Sequence, residues 1–425
     1  SIQRTKKIAL VDCNSFYVSC ERLFNPKIRN KPVIVLSNND GCVIARSNEA
    51  KQLGIPMGAA AFEYEKFFME NRVSVFSANF ALYGDMSNRV MSILHEFSPE
   101  CEVYSIDEAF LKLSGFQLSN LKEFGAAIYK SVVSSTGIPI SIGIAPTKAL
   151  AKVANRIAKK YPNQTENCYY IENEEQRIKA LKWLKVEDVW GIGRRHSFRL
   201  KNLGVKTAYD FTQMNDKWVA KNMSIIGLRL KRDLEGIPTL GIEDIQIKKN
   251  IATTRSFERN ITKYSEVEER IITFSVLCAE KLRAQKSSCT SLIVFIQTNF
   301  HRQDLEQYRK SVTLKLPFPT NSSIEISKFA CEGLKIIFKE GISYKKAGVI
   351  IMDFKPEEQL QLSLFENSNP KHTILMKVMD QLNAAFGRQK VKLASQDLKR
   401  VWKMKQEMLS PRYTTNINDV IKIQV

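Results

Sequence analysis

The stretch Ile8-Ala9-Leu10-Val11-Asp12-Cys13-Asn14-Ser15-Phe16-Tyr17, closing with Glu21, decides how the rest of the chain is read. Four apolar residues ending on a carboxylate predict a short β-strand with an acid at its end. The pattern returns at Val103-Tyr104-Ser105-Ile106, which leads into Asp107 and Glu108 before Ala109 and Phe110. A carboxylate fixed at a strand end cannot bury as a bare charge, so it needs a cation or a polar partner. Three of them on one rigid sheet suit two Mg²⁺ ions, which take oxygen ligands together with substrate phosphates. That is the hardware of two-metal phosphoryl transfer. A single Asp at a strand end is ordinarily a turn or cap residue; the joint pattern, with Phe16-Tyr17 behind Asp12, carries the metal reading.

The chain of 425 residues carries 64 Lys and Arg against 44 Asp and Glu, a formal charge of +20. That surplus predicts a polyanionic partner, and the length predicts roughly two to four domains with buried cores. The longest aliphatic and aromatic runs, such as 292–296, are far too short to cross a bilayer, so no membrane partner is expected. No signal peptide is read, because the first apolar stretch stops at Asp12. None of the eight Cys forms a Cys-x-x-Cys pair, and the four His do not cluster with them. This predicts reduced thiols in a cytoplasmic compartment, with neither a zinc site nor a disulfide framework.

Further along, 33–36 reads as a second strand and Ser37-Asn38-Asn39-Asp40-Gly41 as a turn, followed by a mostly helical insertion over 42–75. A helix over 83–97 sets Met86, Val90, Ile93 and Leu94 at helical spacing. Residues 101–113 read as a hairpin with Asp107 and Glu108 at its tip, 119–135 as a helix and 140–144 as a strand. Strand, helix, hairpin, helix, strand is the split βαβ order of a ferredoxin-like sheet, which brings the Asp12 strand end beside the Asp107 hairpin. The helix predicted at 146–161 holds Lys148, Lys152, Arg156, Lys159, Lys160 and no acid. Directly behind an acidic sheet, it is read as binding substrate phosphate rather than as a solvated charged face.

Residues 176–240 read as all-helical. They contain Val189-Trp190-Gly191-Ile192-Gly193-Arg194-Arg195, framed by Phe198, Leu200, Leu203, Gly204 and Val205, with no acid from Gly191 to Lys206. This is a helix-hairpin-helix pattern, whose glycine turn offers backbone N–H groups to a nucleic-acid phosphate without reading sequence. Between 251 and 355, β runs at 252–257, 291–297, 311–316 and 348–354 alternate with helices near 266–285 and 323–341, a separate α+β domain. Arg255 and Arg259 would lie along its first strand. A polar connector then leads to Gln361-Leu362-Ser363-Leu364-Phe365 and a basic tail.

In this order the motifs resemble those of Y-family translesion DNA polymerases. Asp12-x-x-x-Phe16-Tyr17-x-x-x-Glu21 and Ser105-Ile106-Asp107-Glu108-Ala109 are similar to the two metal motifs of that family. Ser37-Asn38-Asn39-Asp40-Gly41-Cys42-Val43-Ile44-Ala45-Arg46 and Leu409-Ser410-Pro411-Arg412-Tyr413-Thr414-Thr415 resemble its UmuC branch, whose members are catalytic subunits of bacterial DNA polymerase V. The resemblance spans essentially the whole chain. It implies an α+β multidomain architecture: a ferredoxin-like palm at 1–30 and 77–172, small fingers at 31–76, and an all-helical thumb carrying the helix-hairpin-helix at 173–238. A linker at 239–250, an α+β little finger at 251–355 and a C-terminal tail with a clamp motif at 356–425 complete it. The implied activity is error-prone, template-directed DNA synthesis past lesions in the SOS response, in a bacterial cytoplasm at the nucleoid.

The resemblance also assigns roles. Asp12 and Asp107 bridge two Mg²⁺ ions per active site, Glu108 completes the site of the catalytic one, and the Cys13 carbonyl is a further ligand. Tyr17 is the steric gate that excludes a 2′-hydroxyl, with Phe16 shaping the same pocket. Lys51 and Lys159 contact the triphosphate as point charges. Many relatives carry a Tyr where this chain has Asn48, and Arg46, expected in the helix of Lys51, is the substitute contact. Cys42 and Ile44 pack over the nascent base pair, Ile44 being bulkier than the small residue of some relatives. Gly191, Gly193, Arg194, Arg195 and Arg255 contact primer–template DNA. Gln361, Leu362, Leu364 and Phe365 resemble a sliding-clamp motif, Gln361 bonding at a rim while Leu364 and Phe365 fill an apolar pocket. A UmuD′-like dimer and a RecA filament are implied as further partners. Two other readings compete. A nucleotide cyclase is disfavoured by the helix-hairpin-helix and the second basic domain. A non-catalytic DNA- and clamp-binding scaffold that slows replication is disfavoured by the intact Asp12, Asp107 and Glu108.

Overall fold

The computed structural model describes residues 7–113, 121–239, 249–359, 367–397 and 404–422. They form two units. The first takes residues 1–245 together with 406–425, and the second takes 246–405.

The first unit is built on strand β1 (Ile8–Cys13), all six of whose residues are buried. An antiparallel partner flanks it on each side, β6 (Glu108–Lys112) and β7 (Ile140–Ala145), in a five-stranded sheet. The remaining strands are β5 (Cys101–Val103) and β8 (Cys168–Tyr170), giving the order β5-β6-β1-β7-β8. Both faces of the sheet are covered, which is why β1 reads as a continuous apolar run instead of an alternating one. Ala9 and Val11 pack with the helices α4 (Phe80–Phe97) and α5 (Leu121–Thr136). Ile8 and Leu10 pack with α6 (Lys148–Lys160). Side chains alternate along a strand, so the even-numbered Asp12 follows Ile8 and Leu10 onto the α6 face. Phe110 lies on that face too, and Glu108, two residues before it, is carried there by the same period. Gly143 lets α6 approach this closely: a Cβ there would lie 2.1 Å from the Asn155 backbone nitrogen and 2.3 Å from the Ala151 carbonyl oxygen.

Between β1 and α4 the chain forms α1 (Phe16–Phe24) and then a second, three-stranded sheet. Its strands are β2 (Val33–Leu36), β3 (Val43–Arg46) and β4 (Ser74–Ser77), in the order β3-β2-β4. Helices α2 (Asn48–Gln52) and α3 (Ala61–Glu70) accompany it. The expectation of a mostly helical 42–75 is thus corrected at both ends. Val43 is a buried β-branched residue that pairs with Leu36 across the 37–41 turn, where Asn39 and Asp40 take positive φ, and β4 adds in parallel to β2.

After α6 come α7 (Pro162–Thr165), β8, α8 (Glu174–Trp183), α9 (Arg194–Asn202), α10 (Ala208–Thr212) and α11 (Asp216–Leu234). The helical stretch shares its core with α6, joining Leu181, Leu200, Phe211 and Leu234 to Leu150 and Ala154. In the second unit β9 (Asn250–Ile261), β10 (Ser287–Thr298), β11 (Arg309–Thr320) and β12 (Tyr344–Pro356) make an antiparallel sheet in the order β11-β10-β12-β9. Helices α12 (Tyr264–Ala284) and α13 (Ser323–Ile337) share one apolar core with it. The six predicted elements are all present, the strands running longer than their apolar stretches. Helix α14 (Pro370–Phe386) is tied to α12 by paired Arg283–Asp380 hydrogen bonds of 2.7 Å.

Candidate active site

Asp12 and Glu108 sit opposite each other in the β1–β6 register and share the α6 face. That helix carries Lys148, Lys152 and Lys159 at spacings of four and seven, one side of an α-helix. Lys159 Nζ donates to Asp12 Oδ1 at 2.6 Å, Lys152 to Glu108 Oε1 at 2.7 Å and Lys148 to Glu102 Oε2 at 2.6 Å, while Arg156 pairs with Asp188 at 2.8 Å. Burial pushes the Asp12 carboxyl up to about 7; Lys159 pulls against this and the neighbouring Glu108 adds to it. Asp107 lies in the turn just before β6. It accepts from Ser105 Oγ at 2.6 Å, and its carbonyl receives the Cys13 N–H at 2.8 Å.

The donor set is all oxygen, as a hard divalent cation requires, and a buried carboxyl pushed up this far is a group that a cation would relieve. Among the described residues, however, no three His, Cys, Asp or Glu side chains converge closely enough to hold a metal ion. Glu108 lies close enough to Asp12 to raise its proton affinity, each of the two is also held by a lysine of α6, and Asp107 is held by Ser105. Sequence alone does not single out Lys152 among the basic residues of its helix. Its ammonium lies 4.9 Å from the ring centroid of Tyr104 and 5.6 Å from that of Trp190, a cationic post between aromatic walls. The available signal is its position seven residues before Lys159 on the same helix face.

A cleft opens over these carboxylates. Asp12, Cys13 and Asp107 line it with Phe16, Tyr17, Ile44, Arg46, Lys51 and Lys159. Glu108 lines the adjoining cleft, with Asn48 and Lys152. Of the residues expected at the nucleotide, Cys42 alone lies outside the first cleft; it is exposed and bridges to Ala60. Arg46 is the last residue of β3 rather than part of a helix, and its guanidinium donates to the Ile55 carbonyl at 2.7 Å. Lys51 does lie in α2. Its ammonium is pushed down by burial and then by Arg46 and Lys159, so three cations crowd one wall, an arrangement that favours an anion between them. Phe16 is buried, whereas Tyr17 is half-buried and stacks on Tyr83 at 4.6 Å between centroids. Glu21 is away from the cleft and almost fully buried at 1 % exposure.

The glycine turn is formed as expected, Gly191 at φ 91° and Gly193 capping α9, with Arg194 and Arg195 exposed in its first turn. The apolar frame is only half buried: Leu200 and Val205 are in the core, but Phe198 and Leu203 face solvent. Arg255 is exposed on β9, whereas Arg259 pairs with Glu266. The clamp-like Gln361-Leu362-Ser363-Leu364-Phe365 lies outside the described residues. All eight cysteines are free thiols, and no described helix is long and apolar enough to cross a membrane.

Two family profiles named for impB/mucB/samB proteins match this chain. One covers residues 11–156, and its C-terminal-domain counterpart covers 248–364. A third, described as a domain of unknown function (DUF4113), matches 374–423. The chain is 41% identical to Protein UmuC of Salmonella typhimurium strain LT2 over 98% of its own length and 100% of that protein. It is 41% identical to Protein ImpB of Salmonella typhimurium, over 97% and 98% of the two chains, and 37% identical to SamB of the same organism over the same shares. A carboxylate-bearing sheet facing a wall of cations, matched along its full length to these proteins, places the chain in the UmuC/ImpB/SamB/MucB branch of the Y-family, as a translesion DNA polymerase of the SOS response.

Proposed function

We propose that the first unit carries the chemistry of this polymerase at the cleft between Asp12 and Lys51. The observation that supports it is the opposition in one cleft of two carboxylates, Asp12 and Asp107, to three cations, Arg46, Lys51 and Lys159. In this reading 1–30 and 77–172 are the palm, 31–76 the fingers, 173–238 the thumb, 251–355 the little finger and 356–425 the tail.

Asp12, Asp107, Glu108 and the Cys13 carbonyl would hold two Mg²⁺ ions, which when bound make the primer 3′-hydroxyl a better nucleophile and stabilise the leaving pyrophosphate. Arg46, Lys51 and Lys159 bind and orient the triphosphate. Lys159, 43% exposed, exchanges Asp12 for a phosphate oxygen as the nucleotide enters. Lys152 holds Glu108 in place, and the Tyr17 ring occupies the space of a ribose 2′-hydroxyl. Primer–template DNA is gripped by the turn at Gly191 and Gly193, by Arg194 and Arg195, and by Arg255. A sliding clamp, a UmuD′-like dimer and a RecA filament are the proposed protein partners, the clamp through Gln361, Leu362, Leu364 and Phe365.

The test is single-nucleotide incorporation on undamaged and abasic templates, with and without the partner proteins, comparing this chain with Asp107→Ala. Extension that requires a divalent cation and is lost in Asp107→Ala supports the reading. Extension undiminished in Asp107→Ala overturns the site, and absence of extension in every arm with DNA binding intact favours the scaffold.

A further inference from the structure

The tail motif at 409–415 has no part in the chemistry above, yet it is built into the first unit. Met408 N donates to Ser77 Oγ, and Ser77 N to the Met408 carbonyl, both at 3.0 Å, which closes the outer edge of β4. Glu407 N donates to Asp40 Oδ2 at 2.9 Å. Tyr413 stacks on Phe24, the last residue of α1, at 4.7 Å between centroids. At the centre, Ser410 uses its hydroxyl in both directions. It donates to Glu21 Oε1 at 2.9 Å and accepts from Asn79 Nδ2 at 2.9 Å. Glu21 Oε1 also accepts the Tyr83 phenol at 2.6 Å.

These contacts lead to the nucleotide pocket. Tyr17, Glu21 and Phe24 lie on one face of α1, at spacings of four and three. The Tyr83 ring that bonds Glu21 is the ring on which Tyr17 stacks, and Phe80, one residue after Asn79, meets Tyr17 edge-on at 5.9 Å. The tail therefore holds both ends of the aromatic seat beneath Tyr17. It fixes Tyr83 through Glu21, and Phe80 through Asn79, the N-cap of α4. Glu21, Tyr83 and Asn79 are all buried, so losing a donor there is not made good by water.

We propose that residues 406–413 are a positioning element for the nucleotide pocket, with Ser410 setting the Tyr17 ring through Glu21 and Tyr83 and so sharpening the rejection of ribonucleotides. This rests on the reading of Tyr17 as the steric gate. A tail that merely added stability would lower activity toward both sugars alike, whereas a displaced ring changes their ratio.

The experiment measures kcat/KM for one deoxynucleotide and its ribonucleotide with the full chain, for the wild type, Tyr17→Ala, Ser410→Ala, Ser410→Thr and Tyr83→Phe. Hydrogen exchange is followed on the same proteins. Ser410→Ala and Tyr83→Phe are expected to raise relative ribonucleotide use about fivefold, the effect of one buried hydrogen bond. Ser410→Thr restores the wild-type ratio, and Ser410→Ala speeds exchange at 16–21 and 80–83 as well as in the tail. A raised ratio in Tyr17→Ala with an unchanged one in Ser410→Ala and Tyr83→Phe overturns the positioning role and leaves the gate. An unchanged ratio in Tyr17→Ala overturns the gate and the positioning role together. Faster exchange confined to 404–415 also overturns the positioning role.

Discussion

Asp12 faces Glu108 directly across the β1–β6 ladder, and two lysines of a single helix hold the pair, Lys159 at 2.6 Å and Lys152 at 2.7 Å. The site's acids are thus arranged by strand register and its counter-charges by helical spacing, before any substrate arrives.

The raised Asp12 carboxyl has a consequence for stability. A folded-state value near 7, above that of the unfolded chain, means that the folded protein binds this proton more tightly. The associated stability is complete at acid pH and is lost as pH climbs toward about 7. In chelator, Asp12→Asn is expected to melt progressively higher than wild type from pH 5 to 7.5, by about 3 °C at the upper end. Melting curves across that range check it; an offset that does not vary with pH would mean that the Asp12 proton is not the cause.

Lys152 and Lys51 should separate in kinetics. Lys152 touches a carboxylate, so Lys152→Ala is expected to cut kcat by roughly tenfold to a hundredfold while leaving the nucleotide KM within about twofold. Lys51→Ala should do the reverse, raising KM with little change in kcat. Steady-state kinetics on both variants would expose a wrong assignment as a swapped pattern.

Gly143→Ala is expected to be severe. Its Cβ would meet backbone atoms of α6 at 2.1 and 2.3 Å, which no rotamer change relieves. A loss of at least about 3 kcal/mol is expected. Chemical denaturation monitored by circular dichroism would show it, and a midpoint within error of wild type would mean that α6 can shift away.

For DNA, replacing Arg194 and Arg195 together by Ala should weaken binding equally on templates of different sequence. The slope of log affinity against log salt should fall by about 2. Fluorescence anisotropy at several salt concentrations measures both; sequence-dependent losses would argue for base contacts instead of phosphate contacts.

Much of this is legible in the chain because it is written in local patterns. The apolar run before Asp12, the Asp107-Glu108 pair and the basic helix each announce their element, and period-two and helical spacing then bring them together. Three things are not legible. Val43 and its neighbours read as part of a helical insertion because a four-residue strand has too few residues to show its period, and its partner β2 supplies what it lacks. The pairing of Asp12 with Lys159 and of Glu108 with Lys152 depends on which lysine reaches which acid, a matter of side-chain direction that spacing alone does not give. Glu21 looks like the last member of an acidic signature. Its real partners lie at positions 83 and 410, separations that no window along the sequence can see.

That last separation also sets an order of events in the cell. Ser410 is synthesised 389 residues after Glu21, a delay of roughly 20–80 s at ordinary rates of translation. The intervening second unit can fold meanwhile, yet the unit that carries the carboxylates must wait for residues 406–422 to leave the ribosome. A chain that has not yet reached Ser410 already contains Asp12, Asp107 and Glu108, but its Glu21 has one hydroxyl partner, Tyr83, where the finished protein supplies two. On the proposed positioning role, full sugar selectivity would come only once Ser410 has been made and seated.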